Sequence, residues 1–145
     1  MRISVKCSTA VHVLLMIATL ESKEKVTSDL LAKSVGRNPV EIRKLLSSLK
    51  KAGIIDVMRG TGGATLIHDP KTLTLFDIFS AVDPTSLDEL IGVHQHPEKE
   101  CPIGKNINTI LEEPYQDIAN TLRDTMSKIT LESLVNKLKA IEPEL

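Results

Sequence analysis

Residues 38–53 (NPVEIRKLLSSLKKAG) spell out both ends of one helix. Asn38 can cap the first turn, because its side-chain oxygen accepts from an otherwise orphaned backbone N–H. Pro39 follows at the first helical position, where a missing N–H costs nothing. Glu41 stands three residues after the cap, where it can reach back and complete a capping box. Gly53 can take the left-handed conformation that ends a helix. Ile42, Leu45, Leu46 and Leu49 recur at helical spacing and must be buried. The opposite face carries Val40, Arg43, Lys44, Ser47, Lys50 and Lys51. Taken alone, such a helix is better explained as a solvated surface helix than as a working one, so its neighbours decide.

Those neighbours are mostly helical. Val5, Ala10, Val11, Leu14, Leu15, Ile17, Ala18 and Leu20 make residues 4–20 apolar over most of a helix circumference, which predicts a central helix. Residues 21–25 form a charged connection. Thr27 or Ser28 can cap a short helix, with Asp29 in its first turn and Leu31, Ala32 and Val35 facing inward. Gly36 and Arg37 break the chain before Asn38. Two short helices joined by a glycine turn form a helix-turn-helix pattern over about 27–53, although hairpins of helices also occur in proteins that never meet DNA. Ile54, Ile55, Val57 and Met58, then residues 64–67, read as two strands. Arg59-Gly60-Thr61-Gly62-Gly63 lies between them and supplies a tight turn. A phosphate-cradling glycine loop is the other reading of these glycines, but no helix and no Gly-Lys-Ser/Thr follows. A wing spanning 54–67, with Arg59 at its tip, fits better.

Beyond Pro70, Thr74 caps a helix over 75–82 with Asp77 at the capping-box position and Leu75, Ile78, Phe79 and Val82 on one face. Asp83-Pro84 ends it. Residues 87–100 are acidic and polar and read as an irregular loop. From Cys101-Pro102 a long helical stretch begins, with Ile107, Ile110, Leu111, Tyr115, Ile118, Leu122, Met126 and Ile129 forming an apolar stripe. Pro114 should bend this helix or mark its true start. Thr130 caps a last helix with Leu131, Leu134, Val135 and Leu138 inward. So long a stripe could pack on the first helix; a dimer interface is preferred, since two-fold symmetry is what a palindromic DNA site asks of its reader.

Composition bears on partners. The chain has 145 residues and only two Phe, one Tyr and no Trp, so the core must be aliphatic. Its net charge is −1, but seven Lys/Arg against two acids between residues 33 and 59 give that stretch +5. Residues 69–100 carry the reverse imbalance, −5. A basic working surface and an acidic remainder follow. Residues 10–20 make a poor secretory core, since His12 and Thr19 interrupt it and no small-residue cleavage site follows. No stretch approaches the length of a membrane span. Two isolated cysteines, Cys7 and Cys101, suit reduced thiols in the cytoplasm rather than a disulfide framework.

Several segments together carry a resemblance: Met1-Arg2-Ile3-Ser4, the helix pair, Arg59-Gly-Thr-Gly-Gly, residues 74–83 (TLFDIFSAVD), Cys101-Pro-Ile-Gly and Ile129-Thr-Leu-Glu-Ser-Leu-Val. The chain resembles the IscR/NsrR/CymR (Rrf-two) family of bacterial winged-helix regulators over roughly residues 2–135, and most closely those members that lack the iron–sulfur cysteines. The resemblance implies a mainly α fold with a small β-hairpin: a winged helix-turn-helix region over 1–70, then a helical dimerisation and effector region over 71–145 with a long dimerisation helix. It also implies a homodimeric transcription factor, usually a repressor, that reads a palindromic operator in double-stranded DNA. By position, Asn38, Val40, Glu41 and Lys44 match the contacting start of the recognition helix, and Arg59 matches the wing residue. Arg37, Arg43, Lys51 and Thr61 complete the expected DNA-binding set, with Lys50 adding charge.

Cluster-binding members of the family carry three cysteines in the loop before the long helix, where this chain has Cys101 alone. An iron–sulfur cluster is therefore not expected. His94, His96 and Cys101 could form a metal site, but three polar-loop groups are not diagnostic and no metal is assigned. Cys101 itself lies just before a helix, where a thiolate is favoured, so thiol oxidation is a candidate effector signal. A protein-binding or scaffolding winged helix without sequence-specific DNA binding is the alternative function. No nucleophile–base pair or phosphate loop in proper context supports an enzyme.

Overall fold

Two helix stops and one hairpin direct the chain path. In the computed structural model, which describes residues 4–60 and 62–145, the order is α1 (Lys6–Leu20), α2 (Ser28–Val35), α3 (Pro39–Lys51), β1 (Ile55–Met58), β2 (Gly63–Leu66), α4 (Leu75–Val82), a 3-10 turn (Leu87–Glu89), α5 (Pro102–Lys128) and α6 (Leu131–Ile141). Six helices and an antiparallel hairpin make the mainly α class that was expected. Thr61, named above as a wing contact, and Met1-Arg2-Ile3 lie outside the described residues.

Thr27 caps α2 by accepting from Leu30 N–H at 3.2 Å. Asn38 caps α3 by accepting from Val40 N–H at 2.8 Å. The anticipated capping box is not formed: Glu41 makes no bond to the Asn38 N–H and its side chain stands in solvent. Because Asn38 bonds the second N–H of the helix rather than the third, the reciprocal arrangement that draws a third-position carboxylate back is missing. At the other end Gly53 sits at φ 74°. Its N–H goes to Lys50 O and the Ile54 N–H to Leu49 O, both at 3.0 Å, the paired bonds of a Schellman stop.

One core gathers most elements. Ala10, Val13, Leu14 and Ile17 of α1 meet Leu31 of α2 and Ile42, Leu45, Leu46 and Leu49 of α3. Ile55, Ala64, Ile78, Val82 and Leu131 close it, so α6 returns to the same core that holds the helix-turn-helix. Each Val, Leu or Ile among them, fully buried, contributes roughly 1.5–3 kcal/mol of transfer free energy. The core is aliphatic, as the scarcity of aromatics requires. Phe79 instead heads a smaller cluster with Leu87 and Ala119, flanked by Cys7, Phe76, Leu122 and Met126.

Three further local expectations change, and one pairing was not foreseen. α1 begins at Lys6, not at residue 4: Val5 at its start makes no side-chain cap, and Ser4 lies before the helix, donating to Asp83 Oδ2 at 2.8 Å and accepting from the Lys6 N–H at 3.3 Å. Residues 87–100 are not wholly irregular: the 3-10 turn buries Leu87 and Leu90. Pro114 does not start α5, which runs unbroken for 27 residues from Pro102. An interior proline costs about 3 kcal/mol, so packing must hold this helix. That packing includes Arg123, which pairs with Asp88 at 3.0 Å and lies 5.8 Å from the centre of the Phe76 ring. Finally, α4 and α6 start side by side. Thr74 and Thr130 form an isolated antiparallel bridge, with Leu75 N–H to Ile129 O at 2.7 Å and Leu131 N–H to Leu73 O at 2.8 Å.

Candidate nucleic-acid interface

With Ile42, Leu45, Leu46 and Leu49 inside, α3 turns a crest of Val40, Lys44, Ser47 and Lys51 to solvent. Val40 keeps 49% of its surface exposed, although an apolar side chain on a helix so close to the core could have been buried. Arg37, Asn38, Glu41 and Arg43 are exposed around the same end. The Asn38 side chain is partly committed: its oxygen caps the helix and leaves the amide NH₂ as its free donor.

Two clefts flank the crest. One, of about 490 Å³, lies between α3, the start of α2 and the hairpin, and includes Ser28, Arg43, Ser47, Lys50 and Arg59. The other, of about 420 Å³, lies between α3 and the first turn of α1, and includes Lys6, Thr9, Arg37, Glu41, Lys44 and Ser48. The structure therefore groups Arg37, Glu41 and Lys44 on one flank and Arg43 and Arg59 on the other. Lys51 belongs to neither cleft and stays on the crest. Lys50 is drawn aside to Asp56 of β1 at 3.7 Å, an exposed pair of small energetic weight.

The hairpin is pinned where it meets the body. Its register pairs Ile55 with Leu66 and Met58 with Gly63. Ala64 N–H donates to Val26 O at 2.9 Å, joining the second strand to the connection before α2. Gly63 holds φ 79°, and a Cβ there would come within 2.9 Å of Val26 N, so no larger residue fits this crossing. Glu21 accepts from the Leu66 N–H at 2.7 Å. Sequence reasoning treated Glu21 as part of a charged connection, and it passed over Lys6 and Thr9. A carboxylate opposite a strand edge 45 residues away leaves no local pattern to find.

Cys101 stands apart, at the cap of α5, and lines neither cleft. Its Sγ accepts from Gly104 N–H at 3.5 Å. That contact, with a second from the Ile103 N–H, holds the thiol below its ordinary value. Cys7 is opposite in character: burial, then the charge of Asp83, push its thiol up.

A hairpin wing beside a helix-turn-helix, with basic groups on both flanks of the second helix, defines a winged helix-turn-helix protein. The model of the Rrf2 family, described as an iron-dependent transcriptional regulator, matches residues 3–137, and the chain belongs to that family. Its members regulate transcription and are not enzymes. The chain is 33% identical over 136 residues to Bacillus subtilis YwnA, whose name describes an HTH-type transcriptional regulator, covering 94% of this chain and 98% of that protein. A solved structure described as a transcriptional regulator from Lactobacillus plantarum superposes with a TM-score of 0.75 at 27% identity, over 93% of this chain and 90% of that one. CymR of B. subtilis shares the fold, with a TM-score of 0.67 at 19% identity, over 94% and 97% of the two chains.

The family description raises iron, and the residues here do not fit it. The chain has two cysteines, and Cys7 is packed against Phe79 in a separate cluster. Among the described residues no group of three His, Cys, Asp or Glu is placed to hold a metal. His94 and His96 are exposed in the loop before α5. No helix among the described residues is long and apolar enough to cross a membrane.

Proposed function

We propose that this regulator is a homodimer that binds a palindromic operator in double-stranded DNA and represses by occupying it. The observation that carries the reading is the exposed crest of α3, bracketed by Arg43 and Arg59 on one flank and Arg37 and Lys44 on the other. A helix about 10–12 Å across fits a major groove about 12 Å wide. On this reading the first turn of α3 meets base edges. Val40 offers an apolar surface to a thymine methyl, Glu41 an acceptor to a cytosine amine, and Asn38 its free NH₂. Arg37, Arg43, Lys44, Lys51, Arg59 and Thr61 supply backbone contacts and salt-dependent affinity.

Residues 1–70 would then be the reading unit and 71–145 the dimerisation and effector unit. Support for the dimer comes from α5, where Ile103, Ile110 and Ile118 are 72%, 60% and 44% exposed and Ala119 alone is buried. An apolar face this long calls for a partner, and a second copy places two α3 helices on a two-fold axis. Such a protein works beside the chromosome, in the cytoplasm. Cys101 is the candidate effector site, its thiol favoured as thiolate by the first N–H groups of α5.

The test is selection of duplexes from a random pool, followed by affinity measurement across a salt series. An inverted repeat whose binding weakens linearly with log salt supports the reading. Asn38→Asp, which keeps the cap and loses the donor, should change base preference at one position in each half-site. Salt-independent binding, or no selected duplex, would overturn the proposal. Oxidant treatment that leaves wild type and Cys101→Ser equally bound would remove the thiol response.

A further inference from the structure

We propose that the cleft between the first turn of α1 and α3 seats a DNA backbone phosphate, and that this phosphate belongs to the strand opposite the one met by the wing. The inference rests on the DNA-binding reading above and adds a second, separate anchor, with Lys6 and Thr9 as its new members.

Beside the buried Ile42, α3 gives residues 41, 44, 45 and 48 to the α1 cleft, and it gives residues 43, 46, 47 and 50 to the wing cleft. Each set follows helical spacing, so each is one stripe. The stripes are offset by two residues, which at 3.6 residues per turn is about 200° around the axis. The two clefts are therefore on opposite flanks of α3, with Val40, Lys44, Ser47 and Lys51 rising between them. A helix seated crest-first in a major groove turns its flanks to the two groove walls. Those walls are the backbones of opposite strands.

Each flank is built for an anion. On the wing side stand Arg43 and Arg59, with Ser28 and Ser47 hydroxyls, against the carboxylate of Asp29. On the α1 side stand Lys6, Arg37 and Lys44, with Thr9 and Ser48 hydroxyls, against the single carboxylate of Glu41. Among the described residues, none of Lys6, Arg37 and Lys44 is engaged in an ion pair. Lys50 on the wing flank, by contrast, already answers to Asp56. Three cations, from α1, the turn before α3 and α3 itself, face one cleft against one carboxylate, a local excess of positive charge that favours an anion there. Lys6 comes from α1, whose buried face fixes it in the same core as α3, so the anchor is rigidly placed relative to the reading helix.

The experiment is phosphate-ethylation interference on the selected operator, with a salt series, for wild type, Lys6→Gln, Lys6→Arg, Arg59→Gln and, as a remote charge control, Lys105→Gln on α5. Lys6→Gln should lower the salt slope by about 0.9, the value for one phosphate contact. It should also lose interference at one phosphate per half-site. Arg59→Gln should lose interference on the other strand, Lys6→Arg should restore the wild-type pattern, and Lys105→Gln should change neither. If Lys6→Gln behaves like Lys105→Gln while Arg59→Gln weakens binding, the α1 anchor is wrong and the DNA reading stands. Loss on the same strand for both variants also overturns the proposal. If wild type shows no salt-dependent binding, the DNA reading itself fails.

Discussion

The carboxylate of Glu21, one residue past the end of α1, accepts from the Leu66 N–H of the second wing strand at 2.7 Å. A two-stranded hairpin is marginal by itself, and this one has an edge that needs a donor's partner. Glu21 supplies it, as Val26 O does for Ala64 N–H two residues earlier. Glu21→Ala should cost about 1 kcal/mol in urea unfolding, the net value of a typical intramolecular hydrogen bond. It should also speed hydrogen exchange at Leu66 selectively. Because the hairpin carries Arg59, affinity for duplex DNA should fall while sequence preference is kept. Unaltered exchange at Leu66 would show that the bond does not hold the strand.

The two cysteines diverge in reactivity for reasons visible in their surroundings. The Gly104 and Ile103 N–H groups pull Cys101 below its ordinary value. Burial, then Asp83, push Cys7 above its own. At pH 7–8 the thiolate fraction is therefore larger at Cys101, and the thiolate is the nucleophile. Alkylation by iodoacetamide, followed by mass spectrometry, should label Cys101 faster than Cys7 in the folded protein. Equal rates under native conditions would contradict both assignments.

How far the sequence carried differs between the fold and the interface. The helices α2, α3, α4 and α6 announced themselves through caps and spacing, because a capping residue, a proline at the first position and an apolar stripe are all local. Thr27, Asn38, Thr74 and Thr130 cap as expected, and Thr74 with Asp77 forms the full capping box. Contacts between distant segments were not legible. Nothing near Ser4 pointed to Asp83, nothing near Arg123 pointed to Phe76 and Asp88, and the Thr74–Thr130 bridge joins residues that share no motif. The crest of α3 could be read from its periodicity, whereas the α1 flank could not, since Lys6 sits in a helix that looks wholly apolar until its packing is known. Pro114 as the true start of the helix misled in the other direction: its intrinsic cost is real, but α5 runs on from Pro102 through it.

Asp83 ties the start of the chain to the end of α4, and its pH dependence has a definite sign. Burial works to raise its carboxyl, yet the Thr85 N–H and the Ser4 hydroxyl outweigh burial and leave it below the usual carboxylate range. The folded value is thus lower than the unfolded one, near 3.9. The stabilisation is present above that value and is lost as pH falls through the folded one. Asp83→Asn should therefore be less stable than wild type from about pH 5 upward, and the gap should close on acidification below about pH 4. Denaturant titrations at a series of pH values check this, and a gap that widens in acid would refute it.

Along α5 the apolar positions split into two groups, and the split separates folding from association. Ala119 is buried and Leu122 and Met126 pack beside Phe79 and Leu87, fastening the second half of the helix to its own chain. Ile103 and Ile110, in the first half, are 72% and 60% exposed. A substitution in the first group should unfold the protein, whereas one in the second should leave it folded and act on association. Ile110→Asp places a charge on the proposed two-fold interface without disturbing the core. Sedimentation should show a shift from dimer to monomer at micromolar concentration, with the unfolding midpoint of the monomer little changed. On the selected inverted repeat, affinity should drop by about 1.4 kcal/mol or more, a tenfold loss, while binding to a single half-site stays as in wild type. An Ile110→Asp protein that sediments as wild type would move the dimer interface off this face of α5.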